Sequence, residues 1–195
     1  VLWAGGTILS HPFWQCVIVC LCRASDIDRA PKFYKALAAL NAKGFIGDLD
    51  DGPGQIPLED SVVKEAILKL LPRQHFDIII THSPAGEYTS HIRHNEVGRA
   101  VINLWIQNII PAEELWTFAY EDGGKKYLPR AIKTSSSYRR LARRIKVKKH
   151  KIIIEIYGFR KDSFEARTTP GAESFRQFTD PQKAGEWLDN IEKKI

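Results

Sequence analysis

A chain of 195 residues with 44% apolar content and a net charge of +6 is long enough to enclose a real core. No run of eighteen apolar residues occurs, which excludes a helical membrane span, and no basic-then-apolar leader with a small-residue cleavage site opens the chain. The positive charge is local: eight Lys or Arg and no acid lie between Arg139 and Lys151, and elsewhere 21 basic and 23 acidic residues nearly balance.

The first residues, VLWAGGTIL, carry a Gly5-Gly6 pair that marks either a turn or a close helix contact. The chain opens on Val1 and contains no methionine, so it is expected to be a fragment or a processed product. Residues 15–22 read as a strand, and even spacing puts Cys16, Cys20 and Cys22 on one of its faces. Neighbours along one strand do not bridge easily, and no second cysteine cluster exists to complete a zinc site. Buried thiols in a reducing compartment are expected, which favours the cytoplasm. Arg23 to Asp28 is a polar connection, after which Pro31, Phe33, Leu37 and Leu40 mark a helix. Gly44 is expected to close that helix, with Phe45-Ile46 leading into GDLDDG. Asp48, Asp50 and Asp51 there suit a metal or sugar hydroxyls, and equally a solvated turn. Leu58 to Leu71 is an amphipathic helix through Val62, Val63, Ala66, Ile67, Leu70 and Leu71.

The most informative stretch runs from Phe76 to Gly98. Phe76 to Ile80 is short, apolar and β-branched, as a buried parallel strand should be. It delivers His82 at its carboxyl end, where open α/β sheets place their ligands. Pro84 and Gly86 punctuate a turn, Ser90 suits an N-cap, and the next helix is expected to carry His91 and His94 in its first turn. Positions i and i+3 share a helix face, so both imidazoles can address one object. The plain alternative is a pair of surface histidines near a helix start.

Leu115 to Tyr120 is a further strand with Trp116, Phe118 and Tyr120 on one face, and EDGGKK at 121–126 is a loop placed to rim a site. Ser135 to Ser137 is expected to cap a helix carrying Arg139, Arg140, Arg143 and Arg144. Ile152 to Tyr157 fits strand or helix, and Asp180-Pro181 starts a last helix striped by Ala184, Trp187, Leu188 and Ile191. Strands alternating with helices imply βαβ units, hence an α/β fold with a mostly parallel sheet and helices on both faces.

The segment THSPAGEYTSHIRHNEVG resembles the second signature of the LmbE-like, PIG-L-type N-acetylglucosaminyl deacetylases, and AGGTI resembles a segment that follows the first. The resemblance implies a zinc-dependent amidohydrolase on a Rossmann-like fold, with residues 1–195 forming one such domain. It makes His94 a zinc ligand and His91 the group that stabilises the oxyanion or protonates the leaving group. Substrate contacts are expected from His82, from Asp51 by a comparable Asp-Gly, and from Arg29. The implied substrate is an N-acetyl sugar glycoconjugate. Many members have Pro-Asp between the two histidines, where this chain has Ile92 and Arg93. The first signature, His-Pro-Asp-Asp-Glu, supplies the general base and two further zinc ligands in the family. Residues 1–195 lack it, and His11-Pro12 is followed by Phe13-Trp14, so catalysis by this chain alone is not expected.

Two other functions compete. One is a binding module that uses residues 139–151 on anionic partners, and its binding should weaken steeply with salt. Nucleic acid is a poor fit, because few aromatic residues interleave that patch to stack bases. The other is a pseudoenzyme that has lost the first signature. Self-association into a homo-oligomer stays open.

Overall fold

The computed structural model describes residues 1–54, 56–88 and 91–193. In chain order they form α1 (Gly5–Ser10), β1 (Cys16–Cys20), α2 (Arg29–Leu40), β2 (Ala42–Ile46), α3 (Asp60–Leu70), β3 (Phe76–Thr81), α4 (Ile92–Ile106) and β4 (Ala112–Phe118). A small hairpin follows, β5 (Tyr120–Glu121) with β6 (Arg130–Ala131), and then β7 (Ser137–Arg140) and α5 (Arg143–Lys151). A π-helical turn (Ile152–Ile156), α6 (Phe164–Thr168), β8 (Ala172–Phe178) and α7 (Pro181–Glu192) complete the chain.

The architecture is mixed α/β, but the sheet is not mostly parallel. β1 and β2 pair in parallel, and β3 lies parallel to β4 in a four-stranded sheet of order β3-β4-β8-β7. The two pairings made by β8 are both antiparallel, with Leu115 opposite Phe178 and Ser137 opposite Phe175. α5, the π turn and α6 loop out between β7 and β8. An antiparallel return of this kind has no need of the crossover that a parallel neighbour requires.

Helices do cover both faces of the β1–β2 pair. Val19 joins an apolar cluster built by α3, α4, α7 and Leu115, whereas Ile18 and Ala42 join one built by α2 and Ile152 of the π turn. Adjacent strand residues point to opposite faces, so the two clusters lie on opposite sides of that pair.

Several expected boundaries move. Gly44 lies inside β2 rather than at a helix end, and β2 needs glycine there because a Cβ would collide with the carbonyl oxygen of Ile18 in β1. Asn41, at φ 52°, takes the left-handed position that closes α2. Arg139 and Arg140 belong to an edge strand, not to a helix, and Ser135 contacts Ser174 of β8 instead of capping one. Charged side chains on an edge discourage pairing with other chains. The basic helix begins only at Arg143, and Ile152 to Ile156 is a π turn. Tyr120 leaves the β4 face for the small hairpin and packs on Trp3 at 4.7 Å.

The last helix starts as expected. The Asp180 carboxylate accepts from the Gln182 amide and Pro181 occupies the first turn, where a missing N–H does no harm. All three cysteines are free and half-buried, and burial raises each thiol, that of Cys22 to about 12. No helix among the described residues is long and apolar enough to cross a membrane.

Candidate functional site

β3 ends at Thr81 and hands His82 to a turn in which the Gly86 amide donates to the Ser83 carbonyl. Gly86 sits at φ 82°, a conformation that glycine adopts without strain. The turn swings Glu87 back beneath the strand end, where it is 1% exposed. Its carboxylate accepts from the Ser83 amide at 2.8 Å, His82 Nδ1 at 3.1 Å and His94 Nδ1 at 2.8 Å. α4 approaches closely because residue 98 is glycine: a Cβ there would lie 2.6 Å from the His82 carbonyl oxygen and 2.9 Å from the Pro84 nitrogen.

His91 is at the N-cap position of α4, one residue before the helix, and His94 is in the first turn. The suggested N-cap, Ser90, lies outside the described residues. The imidazoles stack in a column, His82 on His94 at 3.8 Å between ring centroids and His94 on His91 at 4.3 Å. Phe118 meets His82 edge-on at 5.2 Å, and Tyr88 meets His94 edge-on at 5.8 Å. Three of the expected site residues therefore form one object.

Burial alone would raise the Glu87 carboxyl. The charge and hydrogen bonds of His82, then those of His94, outweigh it and hold the group well below the usual carboxylate range. Burial lowers His94, with His82 adding to the effect and Glu87 opposing it. Burial also lowers His91, followed by His94. An ionised Glu87 facing Nδ1 of neutral His94 places the proton on Nδ1 and leaves Nε2 as a lone-pair donor, the form that binds metals.

Asp51 reaches the column, with a carboxylate oxygen 3.8 Å from His91 Nε2. His91 Nδ1 is buried and has no hydrogen-bond partner among the described residues. Arg29 is not brought there: its guanidinium lies over the Phe159 ring at 4.9 Å. Arg23 is the arginine that faces Asp51, at 3.8 Å, and nothing in its exposed, polar sequence surroundings marked it.

Two further residues escaped the sequence reading. Glu87 was hidden because its importance lies in a turn that folds it between residues five and seven positions away. Arg93 is 3% exposed. It donates to the carbonyls of Asp50 and Ile56, each at 2.5 Å, and to Glu96 at 2.6 Å, while Glu96 also accepts from the Leu58 amide at 2.9 Å. Arg93 and Glu96 thus tie the acidic loop to the start of α4 and seat Asp51 beside His91.

His82, Glu87 and His94 can each offer one ligand atom, and these three atoms lie within 4.8 Å of one another. Two imidazoles and a carboxylate suit zinc chemically. Glu87 already accepts from both Nδ1 atoms, which favours it as the group that orients the two rings toward a metal rather than as a ligand itself. Comparison of the chain with protein-family models, with curated proteins and with solved structures gave no match.

Proposed function

We propose that this protein is a zinc-dependent hydrolase that removes the acetyl group from an N-acetylglucosamine-type glycoconjugate, on a Rossmann-like arrangement of its strands. The observation that supports the reading best is the imidazole column over one buried carboxylate at the carboxyl end of β3. His94 would hold the zinc, with His82 beside it as a second imidazole or a substrate contact. Zinc at such a site supplies an activated water and a Lewis acid for the amide carbonyl.

The chain's own residues supply the rest of what residues 1–195 can offer. Glu87 fixes the tautomer and direction of His82 and His94. On the resemblance, His91 would donate to the developing oxyanion or to the leaving amine; its Nδ1 is buried, so Nε2, with the Asp51 carboxylate 3.8 Å away, is the nitrogen a substrate would meet. On the resemblance, the general base and two more ligands come from a His-Pro-Asp-Asp-Glu segment.

Zinc titration against a competing chelator tests this reading, run on the chain and on a form extended through such a segment. About one zinc held by the extended form and lost in its His94→Ala variant is the expected result, with acetate release from N-acetylglucosamine as the activity assay. If neither form holds zinc, the reading is wrong.

A second reading has its own observation. Arg140, Arg143, Arg144, Lys146, Lys148 and Lys151 are exposed and form no ion pair among the described residues, whereas Lys149 turns inward. That surface would attract an anionic partner. Retention on heparin that falls steeply with salt and disappears on charge reversal at Arg143 and Arg144 is its test.

A further inference from the structure

We infer that a groove beside the histidine column receives an apolar, ring-bearing aglycone of the substrate. The inference rests on the sugar-hydrolase reading and adds a substrate class to it. The groove has a volume of about 470 Å³ and is walled by Tyr88, Phe164, Leu128 and Pro129, with Asp122 and Lys125 at its rim. Tyr88 belongs to both places: one contact is edge-on to His94 at 5.8 Å, and another is Phe164 at 5.5 Å. A substrate whose acyl group reaches the histidines therefore has Tyr88 beside its far end, and the groove lies next in line.

The walls are already built. Gly123, Gly124 and Lys125 hold left-handed backbone at φ 62°, 68° and 68°, and the amides of Gly124 and Tyr127 donate back to Asp122. Only glycine fits at 123, because a Cβ would collide with the Tyr127 ring. Tyr127, which also lines the groove, carries the Arg130 guanidinium over its ring at 3.9 Å and so buttresses the loop. Across the groove, Ser163 caps α6 by accepting from the Ala166 amide, which sets Phe164 at the first position of that helix.

Phe164 and Leu128 are left 43% and 37% exposed, apolar surface that a ligand ring would remove from water. A preformed apolar groove with a few polar groups at its edge is the usual form of a small-molecule site. The apolar majority of its lining favours an aromatic or alicyclic group over a heavily hydroxylated one.

The test compares methyl and phenyl β-glycosides of N-acetylglucosamine, with binding measured by calorimetry and saturation-transfer NMR on the protein as it stands. About tenfold tighter binding of the phenyl glycoside is expected, the scale of burying one ring. Phe164→Ala should erase that preference and leave the methyl glycoside unchanged, and Leu128→Ser should reduce it. Thermal unfolding of both variants shows that the fold is kept. Equal affinities in the unsubstituted protein, or a preference that survives both variants, overturn the groove and leave the hydrolase reading standing. Failure of both glycosides to bind overturns the groove together with the sugar reading, while absence of zinc is the separate signature of a wrong metal assignment.

Discussion

Two carboxylates are fully enclosed among the described residues, Glu87 and Glu173, and the difference between them separates a structural centre from a candidate site. Glu173 accepts from the amides of Gly6 and Thr7 at 2.7 and 2.6 Å, from the Thr7 hydroxyl at 2.7 Å and from Lys149 Nζ at 2.6 Å. Both ends of the Lys149–Glu173 pair are completely buried, the carboxylate receives the first amides of α1, and Lys149 Nζ also donates to the carbonyl of Pro170, so the donors are used within the protein. Glu87 is just as deep, yet two of its donors are imidazoles that remain 27% and 22% exposed. Each of those rings has a second nitrogen to offer. Burial of a charge is common to both centres, and a free valence on the donors belongs to one.

The largest expected effect lies at the closed centre. Lys149→Met strands Glu173 without its countercharge and should destabilise the fold by about 3–5 kcal/mol in urea unfolding. Zinc affinity of the surviving folded protein should not change. A loss below ~1 kcal/mol would mean that the α1 amides alone satisfy Glu173.

Gly98→Ala comes next, because its Cβ must push the His82–Pro84 backbone away from α4. A loss of about 1–3 kcal/mol is expected, as for other overpacking changes, and here zinc affinity should fall with stability. Unchanged zinc binding would show that the column tolerates a shift of β3 against α4.

Glu87→Gln keeps the shape of the open centre and removes its charge. Zinc affinity should drop about 10–100-fold, the usual effect of losing a carboxylate behind metal-binding imidazoles. A complete loss would promote Glu87 from orienting group to ligand, and no change would dissociate the column from metal binding altogether.

The smallest effect is on the acid side of the stability curve of the metal-free protein. Glu87 is depressed in the folded state, so its contribution is complete above the ordinary carboxyl value of 4.5 and is lost as the pH falls from there toward the folded value. His94, also lowered when folded, acts in the same direction, because the unfolded chain binds its proton first as the pH falls below 6.5. The urea midpoint should therefore fall less steeply with falling pH in Glu87→Gln than in the unsubstituted protein, and identical slopes would refute the assigned charge on Glu87.

Legibility followed the range of the interactions. Phe76 to Ile80 was readable as a strand because its β-branched run is local, although β3 runs on to Thr81, lies at the sheet edge and is mostly half-buried rather than buried. α7 was readable because Asp180, Pro181 and a helical stripe are all local. His91 and His94 were readable as a pair for the same reason, although the helix start falls one residue later than the reading had it. β8, AESFRQF, carries no clear strand signal because Glu173 interrupts its pattern, and the partners that allow that acid inside are 24 to 167 residues away. The antiparallel half of the sheet went with it.

What the sequence by itself determined is the set of local elements and the chemical types available: an α/β chain, a strand ending at histidine, a helix opening on two more, and an acidic loop. Only the tertiary structure decided which of these meet. It placed Glu87 beneath two imidazoles through a left-handed turn and a glycine contact, turned Arg93 inward to seat Asp51, and took Arg29 away to Phe159. The physical reason is that helix and strand propensities are summed over neighbours in sequence. The direction of a buried hydrogen bond is set by whichever distant backbone happens to close the space around it.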